Sequence, residues 1–120
     1  MEQKNWTVVR RLVGYDRYSS RAAYVLLGRL YGLQAHDAHE RARRWLGRVG
    51  LGARPQLVLR KYSKGMLQRL GLAAALLHQP ELLILDEPMS GLDTNQAAEI
   101  RDLIMDIGRQ RTVILSSHNL

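Results

Sequence analysis

The sequence contains no cysteine, so neither a disulfide framework nor a thiolate metal site is available to it, which fits a reducing compartment. Long apolar runs are absent too. The longest, Leu72 to Leu77 and Leu82 to Leu85, fall far short of the roughly 18 residues that a membrane span requires, and the opening Met1-Glu2-Gln3-Lys4 is polar. Neither secretion nor membrane insertion is expected, and any membrane association has to run through a partner. There is also no internal repeat and no low-complexity linker. What remains is 120 residues, 46% hydrophobic and 24% charged, the composition of one compact globular domain.

The net charge of +7 is unevenly spread. Residues 1–70 hold 15 Lys/Arg against 4 Asp/Glu, and residues 71–120 hold 3 against 7, so the halves carry +11 and −4. Such asymmetry can mark a nucleic-acid surface. Here Arg41, Arg43, Arg44 and Arg48 are interleaved with Ala42, Trp45 and Val49 at helical spacing, which reads as a solvated helix face, and no nucleic-acid partner is expected.

The first half has a helical texture. Ser19-Ser20 caps a segment whose apolar positions Ala23, Leu26, Leu27 and Leu30 recur at three and four residues before Gly32 ends it. Asp37 and Glu40 have the spacing of a capping box, opening a second helix that runs to about Val49 and stops at Gly50. From Ser63 onward the order becomes helix, strand, helix, strand, which is α/β grammar. Ser63 caps a helix from Lys64 to His78, since Leu67, Leu70, Ala74 and Leu77 share a face and Pro80 forbids continuation. Leu82 to Leu85 reads as a fully buried strand. Asp93 or Thr94 starts a helix carrying Ala97, Ile100, Ile104 and Ile107, and Val113 to Leu115 makes the last strand.

The strand Leu82-Leu83-Ile84-Leu85 ends in Asp86-Glu87, which puts two carboxylates where a parallel strand emerges at its carboxyl edge, the usual ligand crevice of such sheets. Taken alone, two polar residues closing a strand are equally well explained as a terminator. The surroundings are more specific. Tyr62-Ser63-Lys64-Gly65-Met66 opens a helix with its serine 23 residues before Asp86, Ser90-Gly91-Leu92-Asp93 follows directly, and Ser117-His118 closes the next strand.

In order and spacing these four segments resemble the signature motif, Walker B strand, D-loop and switch histidine of the ABC transporter nucleotide-binding domain. The first half, with Gly28-Arg29-Leu30-Tyr31-Gly32-Leu33, resembles the helical subdomain of bacterial exporters. The resemblance implies a partial P-loop NTPase fold of the α/β class. Residues 1–62 would form part of the helical subdomain, and residues 63–120 a parallel βαβ unit with the signature helix. It implies ATP and Mg2+ as ligands, with Asp86 holding the metal through oxygen, Glu87 acting as general base on the attacking water, and His118 at the γ-phosphate. Ser63, Lys64, Gly65 and Met66 would face ATP held by a second ABC ATPase subunit in a head-to-tail dimer, and Asp93 would cross that interface. An integral-membrane permease is the further partner, and the implied location is cytoplasmic, peripheral at the inner face of the membrane.

Two departures qualify this. The five signature positions differ from Leu-Ser-Gly-Gly-Gln at Tyr62, Lys64 and Met66, while the serine and the second glycine are kept. No G-x-x-x-x-G-K-[ST] loop occurs among the 120 residues, nor any Gly-Lys pair. The chain is therefore expected to be inactive alone, with one sheet edge unpaired and a fold that is incomplete or unstable by itself. A second reading makes it a non-catalytic segment docking on a complete ATPase subunit. A third, a ribosome-associated ATPase, is disfavoured because Ser90-Gly91-Leu92-Asp93 has the transporter form, where translation-factor relatives usually carry Asn-His-Leu-Asp.

Overall fold

A computed structural model describes residues 17–54 and 56–116; Gln3, Ser117 and His118 lie outside the described residues. Helix α1 spans Ser20–Leu30 and α2 spans Ala35–Arg48. A short 3₁₀ turn at Leu59–Lys61 leads into α3 at Lys64–Ala75, followed by β1 at Leu82–Asp86, α4 at Thr94–Ile107 and β2 at Thr112–Ser116.

The expected caps operate at most boundaries. Ser19 accepts from the Ala22 amide at 3.1 Å to start α1, and Gly32 and Gly50 follow α1 and α2 in the left-handed conformation (φ 91° and 82°) that favours glycine. At α2 the expected capping box does not form. The helix begins three residues earlier, at Ala35, with Gln34 as a cap that makes no side-chain bond. Asp37 therefore sits inside the first turn, where its charge complements the helix dipole, and Glu40 pairs instead with Arg43 at 2.7 Å. The α1–α2 pair packs closely because Gly28 has no side chain: a Cβ there would stand 3.1 Å from that of Ala38.

Helix α3 ends at Ala75, three residues short of the expected His78. Its last turn tightens, with the Leu76 and Leu77 amides reaching back only three residues to the Ala73 and Ala74 carbonyls, and Gln79 turns left-handed (φ 51°) before Pro80. Leu70 and every residue from Leu72 to Leu77 are buried. The other helices add bonds at this end: the Tyr24 hydroxyl of α1 gives the Ala73 carbonyl a second donor at 2.7 Å, and the Arg41 guanidinium of α2 donates to the carbonyl of Leu77.

Strands β1 and β2 pair in parallel, Leu82 with Thr112 through Asp86 with Ser116, and form a two-stranded sheet. One face joins the core, Leu83 and Leu85 lying in the same apolar cluster as Ile100, Ile104 and Ile107 of α4 and Tyr24 and Trp45 of the helical pair. The other face is open. Leu82, Ile84 and Ile114 are 49%, 44% and 51% exposed, so β1 alternates between buried and exposed residues and is not the fully buried strand expected. Trp45 links the halves at the far end, with the guanidiniums of Arg48 and Arg111 over its ring at 5.7 and 5.6 Å and Arg111 donating to the Pro80 carbonyl at 3.3 Å.

Burial pushes the ionisation of Tyr24 well above the ordinary phenol value near 10, and the positive charge of Arg41 offsets part of that rise. Because the unfolded chain ionises first, the contribution of this tyrosine is intact below pH 10 and is lost as pH climbs beyond it. Tyr24→Phe is expected to cost about 0.5–1.5 kcal/mol at neutral pH, no more, because the Ala73 carbonyl keeps the Leu76 amide. The gap should narrow at about pH 11, where only the parent has this tyrosine to ionise, and chemical denaturation at the two pH values measures it.

Candidate functional site

Period-two alternation along β1 places Asp86 on the open face, at the end of the row begun by Leu82 and Ile84. Its register partner is Ser116, the last residue of β2, whose hydroxyl donates to Asp86 Oδ1 at 2.5 Å. Glu87 then leaves the strand in the left-handed region, with φ at 45°, and its amide donates to the Ser116 carbonyl at 3.0 Å while lying 3.3 Å from the Ser116 hydroxyl oxygen. A non-glycine residue in that region is strained by about 1–2 kcal/mol and is kept there only by its surroundings. Here Ser116 supplies both bonds, so one residue holds the Asp86 carboxylate and the Glu87 backbone. Strand β2 was expected to end at Leu115. The parallel register, which carries Asp86 and Ser116 to the same edge, is the signal that could have singled the serine out.

Beyond Glu87 the chain makes a tight turn, with the Ser90 amide on the Glu87 carbonyl at 3.1 Å, Pro88 buried beneath it and Gly91 left-handed at φ 75°. Asp93 ends the turn and starts α4, accepting from the Gln96 amide at 2.8 Å. A cleft of about 460 Å³ runs along this segment, lined by Glu87, Ser90, Asp93, Arg101 and Ser116 among others.

The start of α3 lies against the same turn. Ser63 accepts from the Met66 amide at 3.2 Å, which makes it the helix cap, and no acidic residue occupies the first turn, so the positive end of the helix is not neutralised by its own side chains. Ser63, Gly65, Met66, Arg69 and Gln96 line a second cleft, of about 320 Å³. Arg69 is ion-paired with Glu99 of α4 and also donates to the Val49 carbonyl at 3.3 Å, closing one wall. Gln96 was not foreseen, although its place three residues after the Asp93 cap fixes it in the first turn of α4.

The structure thus brings Asp86, Glu87 and Asp93 to one edge and Ser63, Lys64, Gly65 and Met66 to the adjoining helix start, while His118 lies outside the described residues. Among the described residues no group of three or more His, Asp or Glu is placed to enclose a metal ion. Asp86 nevertheless suits Mg2+, which is bound through one or two carboxylates plus water and phosphate oxygens and does not need an all-protein cage.

The strain at Glu87 can be tested by substitution. Glu87→Gly should be at least as stable as the parent, whereas a β-branched residue, Glu87→Val, should lose about 1–2 kcal/mol in urea denaturation. Equal stability of the two variants would show that the left-handed turn is not maintained.

Comparison with known proteins places these features in a family. The family model described as "AAA domain, putative AbiEii toxin, Type IV TA system" matches residues 14–120. The uncharacterized ABC transporter ATP-binding protein YxlF of Bacillus subtilis is 41% identical over 119 residues, covering 92% of this chain and 40% of that protein. The bacitracin transport ATP-binding protein BcrA of Enterococcus faecalis is 41% identical over 111 residues, covering 91% of this chain and 33% of its own length. Among solved structures, cbiO1 of Clostridium perfringens, part of the ABC transporter complex cbiONQ, superposes with a TM-score of 0.77 at 26% identity, over 86% of this chain and 42% of that one. The chain therefore spans well under half the length of these relatives, and it has part of the α/β fold of a P-loop NTPase. It belongs to the AAA-domain family, and its relatives there are ABC transporter ATP-binding proteins.

Proposed function

We propose that this chain is the part of an ABC transporter ATP-binding subunit that presents the hydrolytic carboxylates and the signature helix, in a system coupling ATP hydrolysis to export across a membrane. The observation that carries the reading is the pair Asp86 and Glu87 at the carboxyl edge of a parallel sheet, both held by Ser116. Asp86 is exposed and has one carboxylate oxygen engaged by the Ser116 hydroxyl, so the other is available to Mg2+ or its water shell. When bound, that ion would supply charge neutralisation to the β- and γ-phosphates. Glu87 is turned out of the strand into the cleft that follows, which suits a base that accepts a proton from water at a terminal phosphate. His118 belongs to the same proposal, as a contact to the γ-phosphate.

In this reading residues 63–120 form the catalytic portion and residues 1–62 part of the helical subdomain. Ser63, Lys64, Gly65 and Met66 sit at an uncompensated helix N-terminus beside an open cleft, a setting suited to the phosphates of a nucleotide carried by a second, head-to-tail subunit. Asp93 caps α4 here and would also meet that subunit. An integral-membrane permease would hold the assembly at the cytoplasmic face, and no described helix is long and apolar enough to cross a membrane itself. The name of the E. faecalis relative, a bacitracin transport protein, supports small-molecule cargo.

The test is a chimera joining the remaining part of B. subtilis YxlF to this chain. Glu87→Gln in it should lower ATP turnover by about 10²- to 10⁴-fold with little change in KM. Unchanged turnover would remove Glu87 from the chemistry. Stimulation of a complete ATP-binding subunit by the 120-residue chain, lost on Ser63→Ala but not on Glu87→Gln, would identify the signature surface as its sole contribution.

A further inference from the structure

The signature turn and the turn after β1 meet through two reciprocal contacts, each a long side chain of one segment laid over a glycine of the other. The Lys64 side chain, from Cδ to the ammonium, covers Gly91, so closely that a Cβ there would collide with it. In the opposite direction the Gln96 side chain covers Gly65, whose Cβ would stand 3.2 Å from Gln96 Nε2. Both segments are fixed by caps of the same form, Ser63 on the Met66 amide and Asp93 on the Gln96 amide. Two capped helix starts are therefore interlocked, with the knob of each in the notch of the other.

We propose that Lys64 and Gln96 are positioning residues that join the signature turn and the segment from Gly91 to Gln96 into one mechanical unit. The proposal rests on the function assigned above only for its consequence: a nucleotide engaged at Ser63 would displace or order the turn leading back to Glu87 in the same motion. The contact itself stands on geometry. Lys64 is also where the signature departs from its usual glycine, which would have no side chain to lay over Gly91. Both notches require glycine for different reasons. Gly65 is buried with half-buried Gln96 upon it, whereas Gly91 is exposed and has φ of 75°.

Amide hydrogen exchange on the full 120-residue chain tests the interlock without any assay of activity. Lys64→Ala is expected to speed exchange across residues 90–93 by roughly 3- to 10-fold, and Gln96→Ala to do the same across residues 64–67, each effect appearing in the other segment. Lys64→Met, which keeps the covering stem without the charge, should restore protection. Acceleration confined to the mutated segment, or none, overturns the proposal, as does failure of Lys64→Met where Lys64→Arg succeeds, since that would make the contact one of charge. In the YxlF chimera, Gln96→Ala, at a residue with no assigned nucleotide contact, should lower kcat several-fold with KM for ATP nearly unchanged. If exchange shows the coupling but kcat does not move, the interlock holds and its transmission from Ser63 to Glu87 fails, whereas failure of the assigned function is read separately from Glu87→Gln.

Discussion

The carbonyl groups at the end of α3 set the constraint on which the rest of the structure depends. A helix ends with carbonyls that have no partner of their own, and an end surrounded by apolar side chains cannot leave them to water. From Leu72 to Leu77 every residue is buried; the amides of Leu76, Leu77 and Gln79 meet the carbonyls of Ala73, Ala74 and Leu76, and further donors have to come from elsewhere in the chain. Arg41 of α2 supplies one to the Leu77 carbonyl, and Tyr24 of α1 supplies a second one to Ala73. An unmet buried carbonyl would cost about 1–3 kcal/mol, a large share of the stability of a small domain. The helical pair is thus tied to the α/β unit by hydrogen bonds as well as by packing, and α3 is fixed in angle and height. Its opposite end carries Ser63, so the position of the signature turn follows from bonds made 10 or more residues away along the helix.

Strain at the other half of the site is held by a similarly economical device. Ser116 accepts and donates at once, satisfying the Asp86 carboxylate and the Glu87 amide, and the left-handed turn at Glu87 persists because both bonds would be lost together. A serine at this place couples the Asp86 carboxylate and the Glu87 backbone to the pairing of two strands. Any slip in the parallel register would release both acids at once, since Ser116 would no longer face Asp86.

The sequence made local features legible and long-range ones opaque. Ser19, Ser63 and Asp93 cap helices as their spacing indicated, and Gly32 and Gly50 end them, because those signals act over three or four residues. Asp37 and Glu40 had the right spacing and still failed, since a capping box is one of two ways to start a helix there, and Gln34 could open it three residues earlier without a side-chain bond. The hydrogen bond from Tyr24 to Ala73 spans 49 residues and leaves no mark in any window. The two carboxylates were visible at once, but the residue that orients them was hidden, because Ser116 becomes their neighbour only when the strands pair.

The burial of β1 was misread for a reason that also bears on the site. An apolar run without alternation is the mark of a strand covered on both faces, and Leu82-Leu83-Ile84-Leu85 is such a run. In the described structure only Leu83 and Leu85 are covered, which leaves Leu82, Ile84 and Ile114 as an apolar strip on a parallel sheet. Relatives of this chain are more than twice as long, and residues outside the matched region are available in them to cover such a strip. Asp86 completes the same row of side chains. Whatever lies over Leu82 and Ile84 therefore lies next to the Asp86 carboxylate along the strand, so the surface that would finish the core borders the site.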